Sequence, residues 1–324
     1  MDQAKYTPTE SIQRFGLDWE THVRPLYRGK VHWRNICVGG EFGYEPTGDL
    51  ETYNSSTGDR LGIVSSKYQP IHNKDVAEAI TEALPNPRCI VAGGSYRNGK
   101  RAWLQADLGG MSIGGVDPIQ RYALFYTDHD GTGSLKVCPA TFRLFCGNQL
   151  NAATRDHTSV SIRHTSGNDR HTMIDRVHAA ILGTAQWLDQ FETLASKLAD
   201  DAAIDGTWLG KYFQRAYLET CSKETRGLIL NGWQEGTEYP AGYIERAERA
   251  ANRAARAVAD MAENYADCDG GRMPESVRGS RWHAFNAATE WIDHSGRHGA
   301  ESVQLGNAAA HKVELLNLSD HLRV

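Results

Sequence analysis

Asn98-Gly99 lies between two runs, Cys89 to Tyr96 and Lys100 to Leu108, that are rich in strand-forming and small residues. Both turn residues tolerate a positive φ, which makes Asn-Gly the strongest short signal for a two-stranded antiparallel hairpin. A second pair of runs, Arg121 to Thr127 and Ser134 to Phe145, flanks Asp130-Gly131, another turn dipeptide. Two successive hairpins commit this part of the chain to an antiparallel sheet.

The sequence before the hairpins supplies one helix. Lys74 to Leu84 places Val76, Ile80 and Leu84 on one face, with Asn73 as the expected N-cap and Pro85 and Pro87 as the stop. Leu61 to Val64 reads as a short strand, and Asn148 to Ala153 as the start of a helix or a tight bend. Residues 1–60 are glycine-rich and irregular, apart from a strand over Val31 to Val38, and read as an arm or edge segment. After residue 170 the pattern becomes helical. Ile174, Val177, Ile181, Ala185, Leu188, Phe191, Leu194 and Leu198 recur at three- and four-residue steps. Further helices are predicted over Trp208 to Thr220, Tyr243 to Tyr265, Ser280 to His294 and Leu305 to His321.

The expected fold class is therefore α+β: a hairpin-rich antiparallel sheet with a helix on one side, then a mainly helical C-terminal half. The expected division is an N-terminal arm (1–60), an α+β core (61–165) and a helical region packing on it (166–324).

The formal charge of -5 over 324 residues excludes a whole-protein electrostatic drive toward nucleic acid, but leaves room for local basic patches. Residues 1–170 carry 19 Lys/Arg and 18 Asp/Glu, whereas residues 171–324 carry 16 and 22. Arg88, Arg97, Lys100 and Arg101 fall in a stretch with no acidic residue, as do Lys136 and Arg143. The basic character of the first half is thus concentrated in the hairpins. The six cysteines show no CxxC spacing, which argues against a zinc ribbon or a thioredoxin-type motif. The polar N-terminus and the lack of a long apolar run point to a cytoplasmic protein without a membrane segment.

Gly94 to Arg101 nearly spells a phosphate-binding loop, but Arg101 replaces the Ser/Thr that would hold Mg²⁺, and the context is a hairpin rather than strand-to-helix. It reads instead as a basic hairpin tip, which an ordinary solvated turn explains equally well. Half the strand aromatics should face outward by alternation. Trp103 and Tyr126 are the candidates to stack on bases, with Arg97, Lys100, Arg101, Arg121, Lys136 and Arg143 as phosphate contacts. Asp128, His129 and Asp130 offer an alternative metal-binding edge, suited to a metal-dependent nuclease. Adjacent strand residues point to opposite faces, however, and Asp130-Gly131 also serves as a turn. Asn286, Glu290, Asp293, His294 and His298 form a polar stripe, more simply a buried hydrogen-bond network than a metal site. No GxSxG or HExxH motif is present and nothing calls for a cofactor.

Three stretches together resemble the phage- and plasmid-associated family known as domain of unknown function 932. They are Tyr68 to Asn73, His129 to Thr165, and Arg281 to His294. The resemblance spans roughly residues 30–320 and implies a mobile-element origin, with a role on phage or plasmid DNA or against host defence. It implies no catalytic residues. The element order also resembles the core of the single-strand annealing superfamily that includes RecT, Redβ and Erf. That likeness implies a homo-oligomer holding single-stranded DNA in a basic groove. The expected function is single-strand binding or annealing in recombination or replication. The alternatives are the nuclease and a counter-defence protein that binds a host or phage protein.

Overall fold

A computed structural model describes residues 4–30, 43–143, 149–151, 160–164, 170–201, 204–271, 273–295 and 307–322. The strand expected over Val31 to Val38, and Phe145, Cys146, Asn148 and His298, lie outside the described residues. The fold class is α+β, with two antiparallel sheets and a mainly helical C-terminal half.

The chain divides into two compact units that do not follow chain order. The first unit comprises residues 1–108, 123–138 and 159–184; the second comprises 109–122, 139–158 and 185–324. Strands β5 (Arg101–Ile113), β6 (Asp117–Asp128) and β7 (Leu135–Arg143) and helix α3 (Arg170–Asp200) each contribute residues to both.

In the first unit, α1 (Pro8–Arg14) starts with Pro8 behind a Thr7–Glu10 capping box, which satisfies two otherwise orphaned backbone donors. Strands β1 (Thr21–Lys30), β2 (Gly43–Asn54) and β3 (Arg60–Ser65) form a three-stranded antiparallel sheet. The segment expected as an arm thus carries a helix and two long strands, and Ile12 and Leu17 are buried in the unit's core. Helix α2 (Asn73–Ala83) turns Val76, Ala77 and Ile80 toward that core. Its N-cap is His72, not Asn73, and no side chain caps it.

The second sheet runs β4-β5-β6-β7-β8, where β4 is Ile90–Tyr96 and β8 is Gln149–Asn151, and β9 (Val160–Ile162) also pairs with β7. β8 replaces the helix or bend expected after Asn148. The β4–β5 hairpin forms as the Asn-Gly signal predicts, with Tyr96 opposite Arg101. Arg97, Asn98 and Gly99 all hold positive φ (54°, 56° and 85°) in its turn. Along β5, Ala102, Leu104 and Ala106 face the core, together with Phe125, Leu135 and Val137 of the neighbouring strands. Met173, Val177 and Ile181 on the first part of α3 complete it.

The second unit is built on helices: the rest of α3, α4 (Gly206–Glu219), α5 (Lys223–Asn231), α6 (Tyr243–Gly271), α7 (Arg281–His294) and α8 (Asn307–His321). Its core gathers Phe191, Trp208, Tyr212, Phe213, Trp282, Phe285, Trp291, Met261 and Leu315. Asp117 accepts a hydrogen bond from the Trp282 indole at 2.9 Å inside this core. Within the polar stripe of α7, Asn286 donates to the Trp282 carbonyl, and Asp293 forms a buried ion pair with Lys312. That part of the stripe is a buried network.

Candidate nucleic-acid interface

The site is built on the β4–β5 hairpin and the adjoining ends of β6 and β7, all within the first unit. Alternation along β5 sends Ala102 and Leu104 to the core, and sends Arg101 and Trp103 to the opposite face, where both are half-buried. Gly94 stands opposite Trp103, and a Cβ there would come within 3.3 Å of the indole nitrogen. The missing side chain lets Trp103 lie across the strand, where it stacks with half-buried Tyr96 (centroids 6.4 Å apart, planes 17°). Arg97 is exposed at the tip and Lys100 half-buried beside it.

Next along the sheet, Tyr126 holds two cations near its ring. The Arg101 guanidinium lies 5.5 Å from the ring centre and the Lys136 ammonium 5.8 Å. Both distances are in the range of cation–π attraction. Arg101 also pairs with Asp128 through its Nε at 2.5 Å. Tyr126 itself is only 3 % exposed, and burial pushes its hydroxyl pKa well up. Its expected role as a base-stacking platform is corrected accordingly: it organises the cations, and Trp103 with Tyr96 offers the accessible ring surface.

The hairpin tip is held from below by a buried polar network. His129 donates its backbone N–H to the Lys100 carbonyl at 2.7 Å. The Asn73 side-chain amide donates to the carbonyls of Leu17 and Trp19, so its oxygen faces His129. An amide oxygen only accepts, so His129 donates through Nε2, and its Nδ1 accepts from the Thr21 hydroxyl. His164 accepts the Ile71 N–H at Nδ1 and donates from Nε2 to Thr127. Its ring stacks on Tyr68 at 5.0 Å. Burial holds both imidazoles neutral, His129 down to about 3 and His164 to about 4, with His164 and His72 adding repulsion at His129. Trp19 packs edge-on to His129 and closes over the turn, where a Cβ on Gly99 would meet it at 3.3 Å.

This geometry corrects the metal reading of Asp128, His129 and Asp130. Asp128 is committed to Arg101, and both ring nitrogens of His129 are hydrogen-bonded. Asp130 accepts from Thr132 N–H in a tight turn. Among the described residues no group of three or more His, Cys, Asp or Glu is placed to hold a metal ion. Arg121 belongs to the second unit, where it pairs with Asp189 at 3.0 Å. Arg143 ends β7, and its side chain lies outside the described ones.

The network was not legible as such in the sequence, where Asn73 looks like a helix cap. Four of its members nevertheless fall in the stretches that carry the family resemblance: Tyr68 and Asn73 in one, His129 and His164 in another. Residues 60–220 match the family described as a domain of unknown function, DUF932. Over that span the chain belongs to the DUF932 family. The match contains α2, the whole hairpin, His129 and His164. It is narrower than the resemblance, since Arg281 to His294 falls outside it. No curated protein and no solved structure matches the chain. The likeness to the RecT, Redβ and Erf annealing proteins therefore rests on element order alone. No helix among the described residues is long and apolar enough to cross a membrane.

Proposed function

We propose that this DUF932 protein binds single-stranded DNA through the β4–β5 hairpin, and acts in phage or plasmid recombination or replication as a single-strand binder or annealer. The observation that carries the reading is the half-exposed Tyr96–Trp103 stack, with Arg97 and Lys100 at the tip of the same hairpin, Arg101 at the start of its β5 strand and Lys136 on β7. Every base has a π-face, so an aromatic pair beside cations is a sequence-tolerant way to hold a single strand. A duplex keeps its bases stacked inside and gains only the phosphate contacts. The buried network beneath supports the reading, because it fixes the turn and leaves little entropy to lose on binding. Self-association and a cytoplasmic location in a bacterial host belong to the same proposal.

The test is a titration of labelled oligothymidylate and of a matched duplex against wild type, Arg97→Glu/Lys100→Glu and Trp103→Phe. The reading expects tight, salt-sensitive binding that prefers the single strand. The double charge reversal should weaken it about tenfold or more, and Trp103→Phe should largely keep it. Equal affinity of wild type and the charge-reversed variant would refute this surface. No binding at low salt would refute the DNA reading altogether and direct the search to a host or phage protein.

A further inference from the structure

Helix α6 carries a second cationic feature, in the unit whose overall charge is acidic. Its narrow buried stripe is Ala247, Ala250, Ala257 and Met261. Along one flank of that stripe run Arg246, Arg249, Arg253 and Arg256, at steps of three, four and three residues, and all are exposed. These steps keep the guanidinium groups on one side of the helix. Among the described residues, none of the four side chains makes an ion pair or hydrogen bond. Glu245 stands four residues before Arg249 and Asp260 four after Arg256, yet neither is paired with them. An ordinary solvated helix mixes signs at such steps, because like charges there are destabilising and opposite charges help. Here one sign persists over nearly three turns. The apolar stripe is already buried in the unit's own core, so the helix has no greasy face to lay into a membrane.

We infer that the α6 arginine row is a second phosphate-backbone site, one that takes the backbone of a single strand. The inference deepens the nucleic-acid reading and rests on it. The spacing fits. From Arg246 to Arg256 the helix rises about 15 Å at 1.5 Å per residue, so the four guanidinium groups follow one another about every 5 Å along a run long enough to meet several successive phosphates of one strand. The guanidinium fork matches phosphate oxygens and stays charged at every working pH. A polyanion along the row would also relieve the repulsion that the free helix carries.

The experiment uses the full chain and labelled oligothymidylate, with affinity measured from about 50 to 200 mM salt. One variant replaces all four arginines by glutamine, which keeps helix propensity. A milder variant, Arg249→Gln/Arg253→Gln, replaces the central pair. At about 0.7 per single-strand contact, the log–log salt slope should shrink by about three in the first and by half that in the second. Thermal unfolding should stay unchanged or improve in both. The row is wrong if both variants keep the wild-type slope while Arg97→Glu/Lys100→Glu weakens binding, and the hairpin reading then stands. The reverse pattern keeps the row and removes the hairpin. Loss of folding in the milder variant would make the row structural and overturn the site. Equal affinity for polyglutamate would overturn the phosphate assignment, and no binding by wild type would overturn both surfaces.

Discussion

Acidification should destabilise this fold through His129 and His164. Both are neutral in the folded state, with pKa values held down to about 3 and about 4, mainly by burial. In the unfolded chain each titrates near the ordinary value of about 6.5. Between those limits the unfolded state binds more protons, so stability is fully present above about pH 6.5 and is lost as pH falls toward the folded values. At about pH 5 each group has moved about 1.5 units below its unfolded pKa, which costs about 2 kcal/mol per histidine, or about 4 kcal/mol for the pair. That is a large share of the roughly 5–15 kcal/mol that holds an ordinary domain folded. The assay is urea denaturation at several pH values in wild type and in His164→Asn. Carboxylate titration acts on both proteins alike, so the difference in pH slope isolates His164 at about 2 kcal/mol between about pH 7.5 and 5. Identical slopes would refute the argument. So would a folded-state NMR titration in which either imidazole protonates near its ordinary value.

Three further predictions rest on a close approach, a positive φ and a buried ion pair. A Cβ on Gly62 in β3 would collide with the backbone of Asp130, so Gly62→Ala should cost about 3 kcal/mol or more in chemical denaturation. Gly109→Ala, at φ +91° with open space around it, should cost only the conformational term of about 1–2 kcal/mol. Lys312 and Asp293 are 0 % and 7 % exposed, so Lys312→Ala should lose about 3–5 kcal/mol by stranding a buried carboxylate. Lys312→Met combined with Asp293→Leu should recover most of that loss, as thermal unfolding would record.

The parts of the fold fixed by local chemistry were legible in the sequence. Asn98-Gly99 specified its hairpin because few residues accept the positive φ of that turn. The helical spacing of Val177, Ile181, Leu188, Phe191 and Leu198, in steps of three, four and seven residues, specified the buried face of α3. The long β1–β2 pairing was missed because Pro25, Pro46 and several glycines break the alternation that marks a strand, and a register shift after Pro25 absorbs the break. Helix α5 was missed for another reason: it buries no residue fully, so its sequence carries little amphipathic signal.

The site was half legible. Charge clustering pointed to Arg97, Lys100 and Arg101, and alternation to Trp103. Which of these a counter-charge occupies is a long-range fact: Asp128 reaches Arg101 across 27 positions of sequence, and Asp189 reaches Arg121 across 68. Tyr126 looked like an outward ring by period, and tertiary packing covered it. Asn73 illustrates the same limit, since a residue that chemically suits a cap serves instead as the hinge of a network joining Leu17, Trp19 and His129. The arginine row on α6 was hidden by composition. Summing charge over the acidic helical half conceals a one-sided stripe that only helical geometry separates from its glutamates.

The most direct test of the central claim is the salt-dependent affinity of the wild-type protein for oligothymidylate beside that of Arg97→Glu/Lys100→Glu. The expected result is tight single-strand binding that falls steeply with salt and is weakened about tenfold or more by the charge reversal. Binding that ignores both salt and the reversed charges would contradict it.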